Sequence, residues 1–509
     1  MCTTRRARQP ALALAAAALL AVTAVAQPQR LTMWGTPPRE KPHRTKAAEG
    51  FPPLPLPVVP QRRTEKKRPP APPKLLANLA WTIAGGGSVG ADAGPLAWKG
   101  SPGAVDQLLQ NAKKHLNVWY GWEQLDLEEL VRKHTAGVEH RTPILYACVY
   151  YPLELAEPQR EALRAYVLAG GTLVVNCCGQ DAAFTATRGE LEALFPRYAL
   201  RPLPADHPLY HAYYDIDQVR YPVPSGNPLD EGAEEVGPPR LHAVTLGTRA
   251  AAIVSREDLA CGWNQWHKPE VRRVHAEDAT RLGLNLITYI TAENRYAKYL
   301  SKTRTVVGPS VRPRQQLTFA QLIHDGNWNP HPSAVPLFLK ELAANTSVAV
   351  RFERRTLQLK DPRLFEHPLL YMTGSWNPGL TREERVLLRR YLTNGGVLLA
   401  DAAAGRQEFD AAFRGLCKEL FPDVPLAPLP PEHLVYTCFH TVDAVRLHHE
   451  AEPVAPAIEA VMLGERPVIL YSRLGLGDGW AHQFSAYARC YSAEDALRLG
   501  TNLVVYVMQ

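Results

Sequence analysis

Four stretches of this sequence occur twice, in the same order, and no fold that fails to accommodate the duplication can be right. LRAYVLAGGTLVVNCCG, from Leu163, returns as LRRYLTNGGVLLADAAAG from Leu388. LFPRYALRPLPADHPLY, from Leu194, returns as LFPDVPLAPLPPEHLVY from Leu420. SREDLACGW (Ser255 to Trp263) returns as SRLGLGDGW (Ser472 to Trp480), and AEDATRLGLNLITYI from Ala276 as AEDALRLGTNLVVYV from Ala493. The period is far longer than a solenoid unit, so each copy is expected to fold around its own core.

The remaining sequence reads as delivery and spacing. Arg5, Arg6 and Arg8 precede an Ala/Leu run from Ala11 to Leu20, and Ala24-Val25-Ala26 offers a small-residue cleavage site before Gln27. That is the pattern of an export signal over residues 1–26, with a retained anchor as the other reading and the export route left open. No later stretch is long and apolar enough to cross a bilayer. Residues 27–74 are crowded with proline, which fixes φ and donates no hydrogen bond, so an extended basic tether is expected. This tether carries a net charge of +8 and the first 26 residues +3, against +7 for the whole chain, which leaves −4 on the rest. The basic balance therefore belongs to the ends, and a nucleic-acid role for the folded repeats loses its support. Of 8 cysteines, Cys2 goes with the signal, and the odd remainder leaves at least one unpaired. No Cys/His spacing suggests zinc, and no metal or other cofactor is expected.

Repeat one is placed at residues 75–299, a linker at 300–316 and repeat two at 317–509. HPLLYMTG, from His367, is an apolar run with the pattern of a buried strand. Thr381 with Glu384 forms a capping box that starts a helix, and Asn394-Gly395 stops it. Val397 to Ala400 is the next buried strand and ends in Asp401. Repeat one follows the same plan: TPILYACV, a helix from near Pro158, Gly170-Gly171, then Thr172 to Val175 ending in Asn176. Short apolar strands alternating with amphipathic helices predict an α/β domain, doubly wound about a mainly parallel sheet, in each copy. The last block of each repeat reads as a helix that ends either as helix or as strand at ITYI and VVYV.

His324-Asp325-Gly326-Asn327-Trp328, Tyr371-Met372-Thr373-Gly374, Asn394-Gly395-Gly396, the strand ending in Asp401, and Ser472 with Gly479-Trp480 resemble the bacterial family known as domain of unknown function 4159. Repeat one shares the pattern loosely at its start (Gly85-Gly86-Gly87, then Trp98) and strongly from Gly170 onward. The resemblance covers nearly everything after Leu75. It implies a flavodoxin-like fold similar to class I glutamine amidotransferases, and it implies no agreed reaction.

Ligands of open parallel sheets bind beyond the carboxyl ends of the strands, which here means Thr373, Gly374 and Asp401 in repeat two, and Val149 and Asn176 in repeat one. In the amidotransferase layout a nucleophilic cysteine follows the Gly-Gly strand; Asn176 and Asp401 stand there, and Cys177 falls one residue late, with a buried filler role the plainer reading. Asp206-His207 and Glu432-His433 repeat an acid–histidine pair that could do acid/base work or simply cap a turn. His331 and His367, each beside a proline, read as loop residues. Arg256 and Arg473 could favour an anion or form salt bridges. Asp325, second in repeat two's first motif, is a further ligand-binding candidate. Trp98 with Trp328, and Trp263 with Trp480, could stack on flat ligands or pack in the core. Gly85 to Gly90 lacks the Lys-Ser/Thr of a phosphate loop and is discounted. The reading taken first is a non-catalytic, exported binding or scaffolding protein whose partner is an envelope protein or a carbohydrate. The alternative is a hydrolase or transferase acting on envelope polymers through Asp401, Glu432 and His433, with repeat one degenerate. A third reading puts one site between the copies, across a pseudo-two-fold axis.

Overall fold

The computed structural model describes residues 71–83, 96–98, 102–225, 233–265, 270–300, 318–346 and 354–508. The expected signal, most of the tether, the Gly85–Gly90 run and the inter-repeat linker lie outside the described residues.

Repeat one places β1 (Lys74–Ile83), β3 (Gly121–Asp126), β4 (Ile144–Cys148), β5 (Thr172–Asn176), β6 (Arg201–Pro202), β9 (Leu241–Leu246) and β10 (Arg249–Ser255) in one sheet. Their order is β3-β1-β4-β5-β10-β9-β6, and β2 (Leu96–Trp98) joins the end of β1. A separate ribbon pairs β7 (Val219–Pro222) with β8 (Glu234–Gly237). Repeat two uses β11 (Ala320–Leu322), β12 (Arg355–Leu357), β13 (Leu369–Gly374), β14 (Val397–Ala402), β15 (Ala427–Pro428), β16 (Ile458–Leu463) and β17 (Arg466–Ser472) in the same order, β12-β11-β13-β14-β17-β16-β15. Five strands on one side run parallel, and the last two add antiparallel.

Helices cover both faces, as near-continuous apolar strands require. Repeat one has α1 (Pro102–Leu116), α5 (Ala260–Trp263) and α6 (Ala276–Leu300) on one face, and α2 (Leu127–Thr135), α3 (Glu157–Leu168) and α4 (Asp181–Leu194) on the other. Repeat two has α7 (Ala334–Asn345), α10 (Leu476–Ala481) and α11 (Ala493–Met508) opposite α8 (Arg382–Thr393) and α9 (Gln407–Leu420). The closing segments ITYI and VVYV are helical to their ends. The Thr381–Glu384 capping box forms as the residues require.

The Gly-Gly motif has a physical cause that both repeats share. Gly170 and Gly395 take φ of +100° and +107°, the left-handed region that glycine enters without a Cβ penalty. A Cβ on Gly171 or Gly396 would sit 2.1 or 2.2 Å from the ring of Tyr166 or Tyr391. Those tyrosines lie across the turn and donate to Thr142 O and His367 O at 2.8 and 2.7 Å. The motif thus locks the end of a helix to the start of a strand. On the opposite face of repeat two, Trp480 stacks on Phe338 with centroids 4.3 Å apart. Burying each such side chain fully contributes about 1.5–3 kcal/mol.

The repeats do not meet about a two-fold axis. The β9–β10 turn and α6 of repeat one pack over the strand ends of repeat two. Asn327 Nδ2 donates to Gly247 O at 3.0 Å, Arg406 to Thr248 O at 3.1 Å, and Ala486 N to Glu293 Oε1 at 3.2 Å. Tyr289 stacks on Tyr487 at 5.7 Å, and Tyr296 bonds to His448. A two-fold would return each contact with the roles exchanged. Instead, a Cβ on Gly247 would come within 3.2 Å of Pro330 O, while its counterpart Gly464 has nothing within 4 Å. The symmetric form of the shared-site reading is therefore corrected: the contact is heterologous, because one repeat's side meets the other repeat's top.

Candidate functional site

Asp401, the last residue but one of β14, lies between Thr373 on one side and Ser472 on the other. It is fully buried, and its neighbours satisfy it. Tyr371 donates its hydroxyl to Oδ1 at 2.7 Å, while Leu476 N and Gly477 N, at the start of α10, donate to Oδ2 at 2.8 and 3.1 Å. Burial raises its carboxyl from 3.8 to about 6, although the hydrogen bonds act the other way. Thr373 lies buried beside it.

A second carboxylate follows on α10. Asp478, also fully buried, accepts from Ala404 N at 2.8 Å and from His331 Nε2 at 2.9 Å. Burial pulls the His331 imidazole down, but the Asp478 carboxylate more than offsets it and the net direction is up. His331 lies in a loop, as expected, but it is buried there as one half of a pair that the loop reading did not foresee. Its signal was in the duplication: the positions matching His331 and Asp478 in repeat one are Ser101 and Cys261. The two partners change together between the copies.

Repeat one builds the same corner differently. Asn176 Oδ1 accepts from Leu259 N at 3.0 Å, and its Nδ2 donates to Asp258 Oδ1 at 2.9 Å. Cys261 N also reaches Asp258, at 3.2 Å. Cys177 points to the other face of the sheet, against Thr187 on α4, and burial pushes its thiol up to about 12. A thiol held protonated there is a poor nucleophile.

The other sequence candidates scatter. In each acid–histidine pair it is the histidine that caps: His207 Nδ1 accepts from Leu209 N and His433 Nδ1 from Val435 N, both at 3.2 Å. His433 packs on Tyr506, and Glu432 is exposed. Trp263 and Trp480 are core residues whose indoles donate to Ala279 O and Ala496 O at 2.8 Å. Gly374 is a close approach, since a Cβ there would sit 2.6 Å from Gly326 O. Arg256 pairs with Asp181 at 2.6 Å, and Arg473 is exposed. Buried His324 accepts from Gly326 N and reaches Thr373 O, both at 3.0 Å, and burial lowers it to about 4.

Open space lies at the seam. A cavity of 370 Å³ is bordered by Arg197, Tyr198 and Arg201 of repeat one and by Asp325, Asn327, Trp328 and Trp376 of repeat two. Arg201 lies 4.9 Å over Trp376, and Arg354 5.4 Å over Trp328. Next to it, 440 Å³ is bordered by Arg201, His207, Trp376 and Arg406. A third space, of 430 Å³, is bordered by Arg249 and Glu293 on one side and by His331 and His482 on the other. Burial lifts the Glu293 carboxyl to about 7. The structure thus brings Asp325 and Trp328 together at one opening and closes Asp401 behind α10. Sequence reasoning missed Trp376 and Arg201, which meet only because of the heterologous packing.

Among the described residues no group of His, Cys, Asp and Glu could hold a metal ion, and no helix is long and apolar enough to cross a membrane. The family model described as Domain of unknown function (DUF4159) matches residues 97–291 and again 318–508. No curated protein matches the chain.

Proposed function

The chain belongs to the DUF4159 family and carries its domain twice, and from that footing we propose that it is an exported, non-catalytic binding protein whose ligand seat is the seam between the repeats. The ligand class is carbohydrate of the cell envelope. The observation that carries the reading is the opening in which Trp328 and Trp376 stand beside Arg197, Arg201, Asp325 and Asn327. Aromatic faces give area to a sugar ring, and fixed polar groups around them orient its hydroxyls. The residues of the hydrolase alternative support it from the other side. Asp401 is fully buried with both oxygens engaged by its own chain, and His433 Nδ1 is occupied as a cap.

The test is calorimetric titration of the full chain with fragments of envelope polysaccharide. Trp328→Ala and Trp376→Ala are each expected to weaken binding about tenfold, equivalent to about 1.4 kcal/mol, with little change in melting temperature. Binding indifferent to both substitutions would remove the seam as the seat. Turnover of a polysaccharide that disappears in Asp401→Asn would replace this reading with a hydrolase. Export is checked by fractionating cells and sequencing the mature N-terminus.

A further inference from the structure

We propose that Cys148 and Cys178 join as a disulfide across the carboxyl ends of β4 and β5 when the chain folds in the presence of an oxidising disulfide. Both are thiols in the structure, with their sulfurs 2.7 Å apart. That is shorter than the ~3.5 Å at which even carbon atoms make optimal contact. A bonded pair stands at about 2.05 Å, so closure moves the atoms by only about 0.7 Å.

The placement follows from the sheet. Cys148 pairs with Asn176 in register, and Cys178 lies two residues beyond, on the same face. Cys178 takes φ of +49°, and its sulfur turns back to within 3.6 Å of Asn176 O. Asn176 Nδ2 reaches both sulfurs, at 3.8 and 3.7 Å. Core packing alone does not call for sulfur at this corner. Repeat two has Thr373 and Ala403 at the matching sequence positions, and it makes its left-handed turn at Ala404, with φ of +52°.

The chemistry is thiol–disulfide exchange. One cysteine, as thiolate, attacks a sulfur of an external disulfide such as oxidised glutathione; a mixed disulfide forms and one small thiol leaves. The second cysteine then attacks the protein-bound sulfur, and the second small thiol leaves. Both cysteine protons end on the released thiols, and the external disulfide takes the two electrons. Cys148 and Cys178 are 4% and 6% exposed once folded, so exchange precedes their burial, and the finished bond is shielded from reductant.

The experiment refolds the full chain with a mixture of oxidised and reduced glutathione, removes the small thiols, denatures with an alkylating agent and maps peptides by mass. The expected result is one linked pair of peptides, carrying Cys148 and Cys178 and two hydrogens lighter than their sum, with Cys2, Cys177, Cys261, Cys417, Cys438 and Cys490 alkylated. Alkylation of both Cys148 and Cys178, or linkage of either to another cysteine, overturns the proposal. Cys148→Thr with Cys178→Ala, the residues repeat two already uses, is expected to fold and lose the link, whereas Cys261→Ser keeps it. A link that survives the double variant would equally defeat the assignment.

Discussion

Replacing Asp401 by Asn should remove a pH-dependent cost that the native chain carries. Folded Asp401 holds its proton up to about 6 instead of 3.8, chiefly through burial. At about 1.4 kcal/mol per pKa unit, the ionised form costs the fold about 3 kcal/mol relative to the protonated form. Between pH 4 and 6 the folded chain keeps a proton that the unfolded chain has lost, so stability falls as pH rises. The contribution is whole below about pH 4 and gone above about pH 6. Asn does not titrate. Its Oδ1 can accept from Leu476 N and Gly477 N, as Asn176 accepts from Leu259 N, and its amide can donate to Tyr371, at the loss of one hydrogen bond worth about 1 kcal/mol.

The expected outcome is a variant slightly weaker than wild type at pH 4 and about 2 kcal/mol stronger at pH 7. The assay is urea denaturation from pH 4 to 7, followed by tryptophan fluorescence. The two repeats are fitted as separate transitions, because a single two-state fit does not describe two domains. Only the repeat-two transition, which melts Trp480 out of its stack, should move with pH in the comparison. A difference between variant and wild type that stays flat with pH refutes the burial argument. One that favours wild type as pH rises shows that Asp401 is stabilised as an anion.

His331→Ala leaves the buried Asp478 with Ala404 N alone, and breaking a buried pair in this way costs about 3–5 kcal/mol, read as a lower denaturation midpoint of repeat two. Because the folded His331 value is raised, its contribution is complete below the ordinary 6.5 and fades as pH climbs through the higher folded value, so the gap to wild type should narrow in alkali. Gly396→Ala and Gly171→Ala each drive a methyl into a tyrosine ring and should lose at least 1–3 kcal/mol in thermal or urea melts. Gly415→Ala, in α9 with nothing within 4 Å of the new methyl, should instead gain up to about 1 kcal/mol.

Local rules carried much of the fold from sequence. The Thr381–Glu384 box, the Gly-Gly turns and the buried strands β5 and β14 are decided by neighbours a few residues apart, and such patterns are written in the chain. What was not legible depends on distance. His331 meets Asp478 from 147 residues away, and each looks ordinary in its own segment. Trp376 gains its role only from Arg201, across a seam whose direction no local pattern sets. The acid–histidine pairs were legible as turn caps, but the pattern did not say which member caps. Imidazole Nδ1 does the accepting because the second residue of the following 3₁₀ turn presents its N–H to it.

The two strand ends also show why comparing the repeats residue by residue misleads. Asn176 in place of Asp401 looks like a charge that was lost, yet Asp258 stands where repeat two has Gly475, and Cys261 where it has Asp478. A Cβ on Gly475 would lie 2.0 Å from Asp478 Oδ2, so an acid at the 478 position excludes a side chain at the 475 position. The carboxylate can occupy one place or the other. When it comes from Asp258, its Oδ1 lies 2.9 Å from Nδ2 of residue 176, and a second carboxylate there would meet it at contact, so the strand end must offer a donor and asparagine fits. When it comes from Asp478, it turns to His331 and Ala404 N, and residue 401 is left to the α10 N–H groups and Tyr371 as an acceptor. Asn176 is therefore one half of a compensated exchange with Asp258, and not simply a carboxylate lost from the strand end.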